Sequence, residues 1–150
     1  HIRWITPAVA QRMHKAGFET VRLGLETAAN DGRQGLDQKT SVAQFRQAVQ
    51  NLIRAGFSSD RIGAYLLVGL PGQTMASVAE SIQIVKDSGA TPVPAYYSPI
   101  PHTALWAEAA AASRYDLEVD PLYTNNALLP CQSQPFSWQQ LSRIKAMAAG

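Results

Sequence analysis

Three times along this chain, a helical segment stops at a glycine and is followed by a run of β-branched and aliphatic residues. The three glycines are Gly17, Gly56 and Gly89, which lie 39 and then 33 residues apart. That spacing is the length of one αβ unit. Strands that alternate with helices in this way run parallel, with the helices as crossovers. The repeat therefore predicts an α/β fold with three parallel strands.

The boundaries of the three units follow from local signals. Each helix has a Thr or Ser that can cap its first turn: Thr6 (followed by Pro7), Ser41 and Thr74. The predicted strands are residues 20–27, 62–70 and 93–97. Segment 62–70 is apolar almost throughout, which is typical of a strand covered on both faces. Beyond the repeat, we expect a helix over residues 104–112 and a last helix that Ser137 caps.

Composition excludes several classes of protein. With 46% hydrophobic and 16% charged residues, the chain should be globular. No apolar run reaches the roughly 18 residues that span a bilayer, and a net charge of +2 without a basic cluster does not favour nucleic acid. One cysteine, Cys131, excludes an internal disulfide and an all-cysteine metal site, and fits a reducing cytoplasm. Because the chain begins at His1, we expect it to be a piece of a longer protein.

The carboxyl ends of parallel strands are where such folds bind ligands. At the first end, side chains alternate so that Arg22, Gly24 and Glu26 share one face, and we expect the aliphatic residues between them to meet the helices. The carboxylate of Glu26 is a good acceptor for paired hydroxyls, such as those of a ribose. A structural ion pair of Glu26 with a basic neighbour stays open as the alternative.

The second and third ends carry turns. Gly69-Leu70-Pro71 leads through Gly72 into a helix, so its backbone groups could read an adenine edge while Leu70 lies against the ring. A tight turn without a ligand is the alternative, and the segment is not a P-loop, because no Gly-Lys-Ser/Thr follows. The third strand continues through Tyr97 and Ser98 to His102. For that histidine, a solvated and inert side chain is a simpler interpretation than a catalytic role.

Together and in this order, the three ends resemble the last three strands of the radical S-adenosylmethionine (SAM) superfamily. RLGLET at 22–27 is similar to the family pattern Arg-x-Gly-x-Glu-Ser/Thr. GLPGQT at 69–74 is similar to Gly-Leu-Pro-Gly-Glu/Gln-Thr, and PIPHT at 99–103 to Pro-x-Pro-Gly-Thr, with His102 in place of Gly. The resemblance is greatest to the branch of the methylthiotransferases, the oxygen-independent coproporphyrinogen oxidases and the members with a cobalamin-binding domain.

The resemblance implies that residues 1–106 are the C-terminal half of a partial, TIM-like barrel of six βα units, holding its fourth to sixth strands. Residues 107–150 would be an irregular and helical extension. Glu26 would contact the SAM ribose, and the backbone around Leu70 and Tyr97 would hold the adenine. The full set of residues assigned to SAM by resemblance is Arg22, Gly24, Glu26, Gly69, Leu70, Pro71, Tyr97 and Ser98.

The family's cluster-binding Cys-x-x-x-Cys-x-x-Cys loop and its Gly-Gly-Glu segment are absent from this chain. Without three thiolates the chain holds no [4Fe–4S] cluster, and so we expect it to carry neither metal ligands nor catalytic residues and to be inert. The parent protein would be the enzyme that reductively cleaves SAM to start radical chemistry. Its substrate, and whether it binds cobalamin, stay open. The cut barrel should make the fragment self-associate.

Two other interpretations remain. One is half of an unrelated αβ-barrel metabolic enzyme. A strand-end lysine would favour a Schiff-base enzyme of that kind, and none of the three predicted strands carries one. The other is a non-catalytic interaction module whose C-terminal, Trp-containing segment docks a partner.

Overall fold

The computed structural model describes residues 1–28, 41–132 and 138–149. Its centre is a three-stranded parallel sheet in the order β1-β2-β3, as the repeat predicts. The strands are β1 (Val21–Glu26), β2 (Ile62–Val68) and β3 (Thr91–Tyr96). Each lies within two residues of its predicted position, so the α/β class and the parallel topology are confirmed.

Five α-helices accompany the sheet in the described part of the chain. They are α1 (Pro7–Lys15), α2 (Val42–Ala55), α3 (Met75–Asp87), α4 (Trp106–Ala112) and α5 (Trp138–Ala149). Short 3-10 helices occur at Ile2–Trp4, Ser59–Arg61, Pro121–Thr124 and Asn126–Leu128. The segment between α4 and residue 132 is otherwise irregular, as expected from its sequence.

Side-chain caps begin the first three helices. Thr6 accepts a hydrogen bond from the Val9 N–H, and Ser41 and Thr74 form capping boxes with the third residue of their helices. The predicted stop glycines, Gly17, Gly56 and Gly89, all have positive φ, which only glycine adopts without strain. The predicted cap Ser137 lies outside the described residues.

The two faces of the sheet differ. On β1 the aliphatic residues Val21, Leu23 and Leu25 are buried in the main core, while Arg22 and Gly24 are exposed. The core continues into α1, α2 and α3 and receives the fully buried Ile144 of α5. The alternation predicted for β1 is therefore confirmed: its aliphatic side meets the helices, and its polar side remains open.

A second, smaller core lies at the carboxyl ends of β2 and β3. Its buried members are Leu70, Tyr97, Ala109, Leu117 and Cys131. It joins the two strand ends to α4 and to the irregular segment after it. The C-terminal extension is thus packed onto the strand ends where a ligand is expected.

The free edge of β3 is blocked by prolines. The Tyr97 N–H donates to the Val68 carbonyl. The backbone N–H and C=O groups of odd-numbered residues in β3 therefore point toward β2, and those of even-numbered residues point away from it. Pro92 and Pro94 therefore stand on the outer edge, where they offer no N–H. A further strand is better accommodated beside β1.

Candidate functional site

The end of β1 is irregular at the residue that the sequence marks as a ribose acceptor. Gly24 pairs with Tyr65, whereas Glu26 pairs with Leu66, so Leu25 is one residue too many. This bulge is accompanied by a left-handed backbone at Glu26, with φ of +60°. A side-chain-bearing residue holds that conformation at a cost of about 1–2 kcal/mol. Bulges of this kind re-aim a side chain, and strained residues are concentrated at functional sites.

A glycine makes room for the Glu26 carboxylate. A Cβ placed on Gly24 would lie 3.0 Å from Glu26 Oε1, so the carboxylate folds back over the backbone of Gly24. In the same way, the Arg22 side chain lies across Gly63 of β2, where an added Cβ would come within 2.7 Å of its Cδ and Nη1. Both charged residues therefore occupy the open face of the sheet, as predicted, and each lies over a glycine.

The residue after Glu26 carries an unsatisfied hydroxyl. Thr27 Oγ1 is buried and has no hydrogen-bond partner among the described residues. The next residue is fixed, because the Ala28 N–H donates to Ser81 Oγ of α3 at 3.1 Å. A buried hydroxyl normally finds a partner. Thr27, the next residue after Glu26 in the sequence, therefore carries a buried hydroxyl without a partner in the described ranges.

The turn after β2 is held by Gln73. The Gln73 Oε1 accepts from the N–H groups of Gly69 at 2.8 Å and Leu70 at 3.3 Å, and its Nε2 donates to the Leu67 carbonyl at 2.9 Å. These two N–H groups, which were expected to be able to read an adenine edge, already donate to a side chain of the same chain. The Leu70 side chain is fully buried in the second core, and Pro71 is buried as well.

The end of β3 is also covered. The Tyr97 side chain is 8% exposed, and its hydroxyl has no hydrogen-bond partner among the described residues. Burial raises the pKa of Tyr97, and the nearby Cys131 and Glu108 raise it further. Ser98 Oγ donates to the Thr124 carbonyl of the extension. Further along, His102 has a left-handed backbone, with φ of +64°.

Most of the sequence-predicted site residues lie at the carboxyl ends of the three strands. Because the strands are parallel and adjacent, Glu26, Gly69–Pro71 and Tyr97–Ser98 all stand at their carboxyl ends. Arg22 is near the opposite end of β1. Sequence reasoning missed the clamp by Gln73. The signal for it was present, since an amide side chain four residues after a strand-end glycine can return to that backbone.

A scan against known protein families finds no matching family, and a search of curated proteins finds no significant relative. Among the helices within the described ranges, none is long and apolar enough to cross a membrane. Residues 1–28, 41–132 and 138–149 contain no group of three or more His, Cys, Asp or Glu side chains arranged to hold a metal ion.

Proposed function

We propose that this chain is the C-terminal half of a radical SAM barrel and that Glu26 binds the ribose of SAM in the parent enzyme. One observation carries the proposal. Of the three sequence segments that resemble the family, the first spans β1 and the other two come shortly after β2 and β3, so they occur on three adjacent parallel strands in the family's order.

The outer edges of β1 and β3 are consistent with the fourth to sixth strands of a six-stranded barrel. Pro92 and Pro94 block the outer edge of β3, as suits a strand that closes the series. No strand of the described residues lies on the other side of β1. The missing first three strands of the parent would pair there.

The backbone of His102 gives further support. The family pattern has Gly at this position. His102 nevertheless adopts the left-handed conformation that glycine favours, with φ of +64°. The chain therefore keeps the backbone geometry that the pattern's glycine would allow, although its side chain differs.

The donor set at the end of β1 fits the ribose part of SAM. A ribose presents two adjacent hydroxyls. Glu26 has a strained backbone and its carboxylate lies over a glycine, and the next residue, Thr27, has an unsatisfied hydroxyl. The turn after β2 fits the adenine less well, because Gln73 already holds the N–H groups of Gly69 and Leu70. Adenine contacts there would use backbone carbonyls instead.

In the intact parent, the [4Fe–4S] cluster would supply the electron that cleaves SAM. The residues of this chain would bind and orient the nucleoside end of that molecule. Glu26 would hold the ribose hydroxyls, and the second core would shield the strand ends from water. We place the parent in the cytoplasm, where Cys131 would stay reduced.

The test is titration of SAM into the cluster-loaded parent protein. Glu26→Ala removes a charge-assisted contact of about 1.5–3 kcal/mol, so SAM should bind about ten- to hundredfold more weakly. Glu26→Gln should lose less, because its carbonyl still accepts one bond. Glu80→Gln, a change on the exposed face of α3, is the matched control and should leave affinity unchanged.

Iron content and melting curves complete the experiment. Iron per chain should be unaltered in all three variants, because the cluster ligands lie outside this chain. If both Glu26 variants melt earlier but bind SAM like the wild type, Glu26 is only structural and the ribose assignment is wrong. The residues upstream of His1 in the gene distinguish the parent from another αβ-barrel enzyme, since this proposal requires Cys-x-x-x-Cys-x-x-Cys there.

A further inference from the structure

A cavity of about 410 Å³ lies between the segment that follows β3 and the C-terminal extension. It is lined by Pro101, His102, Trp106, Leu117, Glu118, Pro121 and Thr124. Pockets that take small organic molecules have volumes of roughly 300–1,000 Å³ and combine apolar walls with a few polar groups. The volume of this cavity is in that range, and its lining combines apolar and polar side chains.

Exposed hydrophobic residues are neighbours in sequence of three residues that line the cavity. Three large hydrophobic side chains are strongly exposed directly beside lining residues in the chain: Ile100 at 59%, Val119 at 72% and Leu122 at 60%. They adjoin Pro101, Glu118 and Pro121 respectively. The segments that form the cavity therefore carry exposed hydrophobic side chains as well as its lining residues.

The polar side chains that line the cavity are those of His102, Glu118 and Thr124. Glu118 is its one carboxylate, and the Glu118 side chain makes no hydrogen bond or ion pair within the described residues. The neighbouring acidic side chains of Asp116 and Asp120 are spent on backbone N–H groups of their own turns. Arg114, four residues before Glu118 in the sequence, donates to the Leu128 carbonyl and lies over the Tyr115 ring.

We propose that this cavity binds a small organic cation: a flat apolar body that carries a protonated amine. The indole ring of Trp106 would contact the apolar body and attract the ammonium group through its face. Glu118 would accept hydrogen bonds from that ammonium group. The proposal goes beyond SAM binding and requires neither SAM nor a cluster, so its failure would leave the barrel assignment untouched.

The test compares three ligands of nearly equal shape and different charge. The 150-residue chain is titrated with 2-phenylethylamine, 2-phenylethanol and phenylacetate, and binding is followed by calorimetry and amide chemical shifts. An exposed ion pair and a cation–π contact each contribute a factor of about two to five. The amine should therefore bind about five- to twentyfold more tightly than the alcohol, and phenylacetate should bind most weakly.

Variants locate the site. Glu118→Gln should reduce amine binding by about two- to fivefold and leave the alcohol unchanged, whereas Glu80→Gln on α3 should change neither. Trp106→Ala should weaken all three ligands, and Trp106→Phe serves instead where the alanine variant loses its dispersed amide spectrum. Absence of saturable binding, equal affinity for amine and phenylacetate, or full amine binding by Glu118→Gln would each overturn the proposal.

Discussion

Gln73 uses one side chain to satisfy three backbone groups of a buried turn. Its amide pairs with two N–H groups and one carbonyl at the end of β2. Position 69 favours glycine, because the backbone there has a φ of +91°. The turn that carries the second motif is thus fixed by a glycine and a clamp before any ligand is present.

Removal of this clamp should be costly. Gln73→Ala leaves two buried N–H groups without partners, so we expect a loss of about 2–4 kcal/mol in the free energy of unfolding. Gln73→Glu should lose less, because a carboxylate still accepts both bonds. Gln83→Ala breaks an exposed bond to Asp87 on α3 and is the matched control, with an expected loss below about 1 kcal/mol. Urea denaturation measures all three, and equal losses for Gln73→Ala and Gln83→Ala would contradict the clamp.

Cys131 lies in the second core, and burial raises the pKa of its thiol to about 11. At pH 8 the native thiol should therefore react with a disulfide reagent about a hundredfold more slowly than in urea, where its pKa is near 9. Above pH 9 the unfolded state ionises first, so stability should fall as pH rises from about 9 to 11. Cys131→Ser should reduce this fall and leave the part that arises at higher pH from Tyr97, whose pKa burial also raises. A native rate within a few-fold of the rate in urea would show that the second core is open.

At the scale of elements, the sequence predicts what local chemistry decides. Caps and stops are set by a few adjacent residues, so the Thr6 and Ser41 caps and the Gly56 stop are found where expected. Tertiary features are less accessible to sequence reasoning. The bulge at Leu25 depends on register with β2, and the Gln73 clamp depends on the path of the turn.

β3 shows the same limit. Its strand begins at Thr91, two residues before the predicted start, in spite of Pro92 and Pro94. Proline normally argues against a strand. Here the prolines are tolerated because their nitrogens face the outer edge, and that orientation depends on pairing with β2.

The open edge of β1 makes a prediction about individual amides. Backbone N–H groups alternate in direction along β1 as they do along β3. The N–H of Leu23 therefore points toward β2, whereas the N–H groups of Arg22 and Gly24 point away from it. In dilute chain, the amides of Arg22 and Gly24 should exchange with solvent much faster than that of Leu23. In the parent, or in a self-associated form that pairs edge to edge, both should become protected. Slow exchange at all three amides in a monomer would contradict an open edge.

At the scale of the whole molecule, two cores have different roles. The main core fastens four helices to one face of the sheet, and the second core fastens the extension to the strand ends. The opposite sheet face still exposes Tyr65 at 43%, together with Arg22. In a closed barrel this face would be the interior. The proposal therefore expects the rest of the parent protein to cover this face.

The most direct measurement is SAM cleavage by the full-length gene product. The protein is reconstituted anaerobically with iron and sulfide, reduced with dithionite and given SAM, and 5′-deoxyadenosine is quantified. The account predicts about four iron atoms per chain and reductant-dependent 5′-deoxyadenosine, with a much lower yield for Glu26→Ala at subsaturating SAM. The 150-residue chain treated identically should bind no cluster and form no product. A full-length protein that binds no cluster, or that loads one and leaves SAM intact, would contradict the assignment to the radical SAM superfamily.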